Sequence, residues 1–249
     1  MIPLLAVVLA AGGLFVIARK QAAKKNSEFE VSVARKFEEQ GRDDKALDHL
    51  ARAIEFRPDA LQAYLIQITI LSRQGHRDRV EDCLKQVMEF ASRQPDACFS
   101  VAGTLHRMGR IEQSLEWYKK ALSLDLENAD VSLNYGIALH QAGRHEAALA
   151  QFDMAGRIRT GHALTHYNWG NALASLNRID EAIQHFSESV RIDPDSSGAQ
   201  FNLAALLLQK EKGAQALPHL RKALSLAELE GNEALASKIR GALGIKEPH

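Results

Sequence analysis

From residue 27 onward the apolar positions of the chain return in the same order every 34 residues. Within each period they form two stretches with the three-and-four spacing that puts side chains on one face of an α-helix. Between the stretches stands a residue suited to a tight left-handed turn: Gly41, Gly75, Gly109 and Gly143, then Asn177, with Glu211 at the sixth place. Glycine has no Cβ to clash at positive φ, and asparagine tolerates that region better than most residues. Pro58 and Pro194 close the second stretch of two periods, since proline cannot continue a helix. Each period therefore predicts two antiparallel helices, A and B. Six of them cover 27–60, 61–94, 95–128, 129–162, 163–196 and 197–230 without insertion or deletion.

Packing explains which residues recur. At the closest approach of A and B the side chains have to be small. Helix A offers Ala34, Ile68, Ala102, Gly136, Gly170 and Ala204, and helix B answers with Ala46, Val80, Ser114, Ala148, Ala182 and Ala216. Beside that contact lie large residues, among them Leu173 and Leu207 on A and Phe152 and Phe186 on B. The 61–94 period departs most, pairing Ile68 with Val80, and is expected to be the loosest. After Gly231, residues Leu235, Ile239 and Leu243 share one helical face, so 231–249 reads as a capping helix and tail with Lys238 and Arg240 toward water. Asn26 and Ser27 are placed to cap the first helix A.

The segments GRDDKALDHLARAIEFRPDA, GRIEQSLEWYKKALSLDLENAD, GRHEAALAQFDMAGRIRTGHA and NRIDEAIQHFSESVRIDPDS carry a resemblance to the tetratricopeptide repeat family. The resemblance implies an all-α fold: a right-handed superhelical solenoid of six helix–turn–helix repeats over 27–230, with the capping helix behind it. It also implies a concave surface lined by helix A and a role in binding proteins or extended peptides.

On that surface the sixth position of each repeat holds Ser32, Ile66, Ser100, Asn134, Asn168 and Asn202. An amide side chain both donates and accepts, so a row of them can grip the main chain of an extended peptide. The row resembles the asparagine ladder in the repeat superhelix of the O-linked N-acetylglucosamine transferase. Asn171 adds a fourth amide, and Phe99, Leu133, Tyr167 and Phe201 at the fifth position supply apolar floor. The plainer alternative is that asparagine merely suits this helix and faces water. The carboxylate clamp of chaperone-binding relatives needs lysine and asparagine where Val31 and Arg35 stand, so it is absent. Arg73, His106, Arg107 and His140 form a basic strip, either a contact for acidic groups or a solvated rim.

Ahead of the repeats, Ile2 to Ala18 is an unbroken apolar run of 17 residues. A bilayer-spanning helix needs roughly 20, with a lower limit of about 17. Arg19, Lys20, Lys24 and Lys25 follow it with no acid among the first 26 residues. Residues 1–18 are accordingly expected to be an uncleaved transmembrane anchor, and 19–26 a basic juxtamembrane linker. A cleaved signal, an inverted anchor and a merely buried helix are the alternatives. By the positive-inside rule the repeat domain of such a single-pass protein faces the cytoplasm.

Charge and chemistry narrow the function. The formal net charge is zero, so the chain beyond residue 26 carries four acidic charges in excess and has no footprint for nucleic acid. Cys83 and Cys98 make neither a disulfide framework nor a zinc spacing. His162 and His166 stand four apart, a ligand spacing on a helix, but fall at a turn and a packing position. No phosphate loop or hydrolase motif occurs, and no cofactor or metal site is expected. Two functions remain: a membrane-held receptor for a protein or extended peptide, and a membrane-associated scaffold that self-assembles as a homo-oligomer.

Overall fold

Helix follows helix wherever the 34-residue pattern lays down an apolar stripe. The computed structural model describes residues 4–245, with side chains from residue 17 onward. Among these residues there are thirteen α-helices and no strand. An N-terminal body, ending at Leu124, holds α1 (Leu4–Glu39), α2 (Asp43–Phe56), α3 (Leu61–Arg73), α4 (Arg77–Ala91), α5 (Pro95–Arg107) and α6 (Ile111–Leu124). A C-terminal body, from Asp125, holds α7 (Ala129–Gln141), α8 (His145–Ile158), α9 (Ala163–Ser175), α10 (Ile179–Ile192), α11 (Ser197–Gln209), α12 (Gly213–Leu229) and α13 (Glu233–Leu243). Within each body the helices pack as consecutive pairs, and α13 lies on α12.

The turn inside each pair has one design. The amide of the residue after the left-handed position reaches back to a carbonyl of the preceding helix. Arg42 N–H donates to Phe37 O at 2.8 Å, Arg144 to Leu139 at 2.8 Å and Arg178 to Leu173 at 2.9 Å. This closure satisfies orphan carbonyls at the helix end, and it requires positive φ at the residue between. Gly41, Gly75, Gly109 and Gly143 adopt φ of +69° to +79°, and Asn177 and Glu211 follow at +57° and +59°. A Cβ at Gly143 would meet nothing within 4 Å, so conformation and not space selects glycine there.

Between paired helices the opposite holds. A Cβ on Gly136 would sit 2.6 Å from the Phe152 ring, and one on Gly170 would sit 2.9 Å from Phe186. Each glycine clears room for the phenylalanine of its partner helix. In the N-terminal body Ala34, Ala46, Leu50 and Ala53 make the equivalent contact with no exposure. Ile68 and Val80 are both buried, and the α3–α4 pair is the most sparsely packed of the six, as the bulk of those residues requires. Ala236 and Ile239 bury α13 against the core of the C-terminal body. Arg240 does not face water: its guanidinium pairs with Glu228 at 2.7 Å and Glu233 at 3.2 Å.

The N-terminal expectations are corrected. The apolar run does not form a separate anchor followed by a linker. From Leu4 it is the first part of α1, which continues unbroken through the basic cluster into the first repeat. Residues 1–3, including Ile2 of the run, lie outside the described residues. Among the described residues no helix is long and apolar enough to cross a membrane. The single-pass localisation, the membrane contact through 2–18 and the cytoplasmic orientation therefore lose their basis. The run was at the lower length limit, and the charged residues of the same helix truncate its apolar span. Asn26 and Ser27 are likewise no cap. Ser27 is buried in mid-helix, and its hydroxyl donates to Ala53 O on α2 at 2.9 Å.

Candidate functional site

The predicted amides lie on the A-type helices of the C-terminal body, α7, α9 and α11. Two of these helices start on a side-chain cap. Asn128 Oδ1 accepts from Val131 N–H at 3.1 Å, and Ser196 Oγ accepts from Ala199 N–H at 3.3 Å. These caps fix where each helix begins, and so which face carries its sixth residue.

The asparagines divide into two kinds. Asn134 donates its Nδ2 to Asp130 O and Asn168 its Nδ2 to Leu164 O, both at 2.8 Å and both on their own helix. Each therefore offers outward mainly its Oδ1 acceptor. Asn202 instead reaches from α11 to α9, where its Nδ2 donates to Asn171 Oδ1 at 2.9 Å. That bond leaves both N–H groups of Asn171 and the second N–H of Asn202 as donors, and Asn202 Oδ1 as an acceptor. Asn171 and Asn202 line a cleft of about 420 Å³ together with His140, Ala174, Ser175, Phe186, Ala205 and Leu206. Asn134 and Asn168 are not part of that lining.

The aromatic residues serve packing first. Tyr167 sets its ring edge-on to Phe186 at 5.9 Å, and Gly198 on α11 leaves room for its hydroxyl, 3.3 Å from where a Cβ would stand. Phe201 packs against the same core. In the N-terminal body Phe99 lies 6.1 Å from the Tyr118 ring, and His106 meets that ring edge-on at 6.3 Å. Burial pushes the Tyr118 phenol up to about 12, with Arg107 opposing.

The basic strip is less cationic than its residue types suggest. Arg73 is ion-paired to Asp43 at 2.7 Å, and Arg107 donates to Thr104 Oγ1 at 3.1 Å. His140, in the C-terminal body, has its Nδ1 3.0 Å from Nδ1 of His145. Burial, then His145, lowers its pKa, so the ring is neutral at neutral pH.

Sequence spacing drew attention to His162 and His166, but the structure separates them. His162 Nδ1 meets Thr165 Oγ1 at 2.9 Å, whereas His166 Nδ1 meets His185 Nδ1 on α10 at 3.1 Å. His185 also stacks on Trp169 at 4.1 Å, and burial followed by His166 lowers its pKa to about 4. The partnership was detectable. His49, His185 and His219 recur at multiples of the period, and each contacts a residue 19 positions earlier on its A helix: Glu30, His166 and Gln200. His145 has no such periodic mark. Among the described residues no three His, Cys, Asp or Glu come together as a metal site.

Comparison with known proteins agrees with this architecture. A tetratricopeptide repeat family profile matches residues 8–155, and a second matches 163–196. No characterised protein matches the chain in sequence. Among solved structures, a crystal structure of MamA protein is 20% identical, covering 69% of this chain and 94% of that one, with a TM-score of 0.58. MamA from Desulfovibrio magneticus RS-1 is 18% identical over 66% of this chain and 96% of that one, at a TM-score of 0.55. YrrB, described as a TPR protein with an unusual peptide-binding site, is 21% identical over 77% of this chain and 97% of that one, at 0.57. At such identities the likeness concerns the fold.

Proposed function

The chain belongs to the tetratricopeptide repeat family, and from that premise we propose that its C-terminal body binds an extended peptide segment of a partner protein along α7, α9 and α11. The reading rests on the Asn171–Asn202 pair in its cleft. A peptide unit carries one N–H and one C=O. The pair keeps an acceptor on Asn202 and donors on both amides, enough to bond the N–H and the C=O of one peptide unit. Asn134 and Asn168 supply further acceptors for main-chain N–H groups beyond the cleft, and Tyr167 and Phe201 set the apolar floor. His140 is a secondary contact at the cleft, while Phe99, Arg73, His106 and Arg107 are candidate contacts of the N-terminal body, outside this peptide site. The peptide-binding description of YrrB is compatible with this use of the fold. With it goes a division into six repeats over 27–230, closed by α13.

The test selects linear peptides from a displayed random library against the full chain. Selected peptides are then measured against Asn171→Ala/Asn202→Ala. Two neutral hydrogen bonds at about 0.5–1.5 kcal/mol each predict weakening of roughly 1–3 kcal/mol, about 5- to 150-fold. Methylating single backbone nitrogens of the peptide is expected to abolish binding at one or two positions. Equal affinity at equal helicity removes the cleft from the reading. Failure to select any peptide, with concentration-dependent self-association of the chain, favours the scaffold function instead.

A further inference from the structure

The C-terminal body contains two histidine pairs, of which only His140 borders the peptide cleft. His140 on α7 and His145 on α8 face each other across a tight turn, Nδ1 to Nδ1 at 3.0 Å. His166 on α9 and His185 on α10 do the same at 3.1 Å, farther from the Asn177 turn that joins their helices. In both, two helices of one pair each contribute one imidazole, and all four rings are half-buried. An imidazole binds a metal through a neutral ring nitrogen.

The spacing is short enough for one ion to bridge each pair. With metal–nitrogen bonds of about 2.05 Å, nitrogens 3.0–3.1 Å apart subtend roughly 95° at the ion. A tetrahedral ion such as zinc wants about 109° and a separation of about 3.3 Å. Imidazole suits zinc and copper(II) alike, and copper(II) binds a given nitrogen site most tightly of the divalent series. The ion lies off the line joining the nitrogens, and a turn of about 40° in each ring aims both lone pairs at it, along the broad terminal torsion of histidine. We propose that His140–His145 and His166–His185 are two bidentate sites for a tetragonal divalent cation, copper(II) above all. Water or a ligand group fills the remaining positions. Each site ties helix A to helix B of one repeat, and the first stands at the lip of the Asn171–Asn202 cleft.

The experiment adds copper(II) chloride to the full chain in a non-coordinating buffer and follows it by electron paramagnetic resonance. Two equivalents are expected to enter tetragonal sites with two imidazole nitrogens each. They should bind at least about 100-fold tighter than a single exposed imidazole, as expected for linked ligands. His145→Gln and His185→Gln should each remove one equivalent, and the double variant both, with circular dichroism unchanged. Trp169 stacks on His185, so copper should quench its fluorescence in the wild type and in His145→Gln but not in His185→Gln. Copper that binds no tighter than to one imidazole, or whose stoichiometry survives both substitutions in folded protein, overturns the assignment.

Discussion

At the scale of single residues the six turns provide an internal comparison. Four use glycine at positive φ, one asparagine and one glutamate, on the same backbone geometry. A side chain with a Cβ loses roughly 1–2 kcal/mol in that region. Glu211→Gly is therefore expected to stabilise the chain by about 1 kcal/mol, less the extra entropy of a glycine when unfolded. Gly143→Ala should destabilise it by a similar amount. Urea midpoints of the two variants check both signs together. Coinciding midpoints would mean the turn relaxes around any residue. The turn's position in each repeat is legible in residue order, because the left-handed residue is a local requirement. The packing partners of Tyr167 and Phe201 are not legible there, since they depend on what the neighbouring helices leave open.

Helices and their pairs are the next scale. Capping sets helix starts, and Asn128→Ala should cost about 1 kcal/mol through loss of the bond to Val131 N–H. The interlock of glycine with phenylalanine is more demanding. Gly136→Ala places a methyl 2.6 Å from the Phe152 ring, and overpacking of this kind costs typically ~1–3 kcal/mol. The second substitution Phe152→Leu should recover part of that loss, since it removes the atoms that clash. A double-mutant cycle on thermal unfolding measures the coupling, and an additive cycle would place the strain elsewhere. The pairing of A with B was legible from small residues at fixed register. The pairing of His166 with His185 was legible only in part, from the periodic recurrence of histidine at the B position. The continuity of α1 was hidden, because an apolar run reads alike as a membrane span or as the start of a longer helix.

For the whole molecule, the charge state of the histidines dominates the response to acid. Burial lowers the pKa of His140, His166, His185 and His219, all in the C-terminal body. The unfolded chain then binds more protons than the folded one below the ordinary histidine pKa. Stability is complete above about 6.5 and falls as the pH drops toward the folded values, near 4 for His185. His185 is only half-buried, so solvent screening holds its share to about 1–2 kcal/mol. Hydrogen exchange in metal-free buffer should show residues 125–245 losing protection between pH 6.5 and 4.5 ahead of the N-terminal body. His185→Gln should flatten that slope. Equal loss in both bodies would assign acid sensitivity to the carboxylates, such as Asp130, whose pKa Arg159 lowers by its hydrogen bond.

The sequence by itself determined the repeat length, the helix-pair architecture, the turn residues and the face that carries the asparagines. Those properties follow from local conformation and from periodic burial, and both are written in residue order. Tertiary structure alone decided which amides bond to their own helix and which to a neighbour, as with Asn202 and Asn171. It also decided that His145 meets His140, and that the apolar N-terminal run continues as one helix into the first repeat. These outcomes depend on distances between side chains from different helices, and hydrogen-bond partners are chosen by proximity in space, which a one-dimensional pattern does not contain.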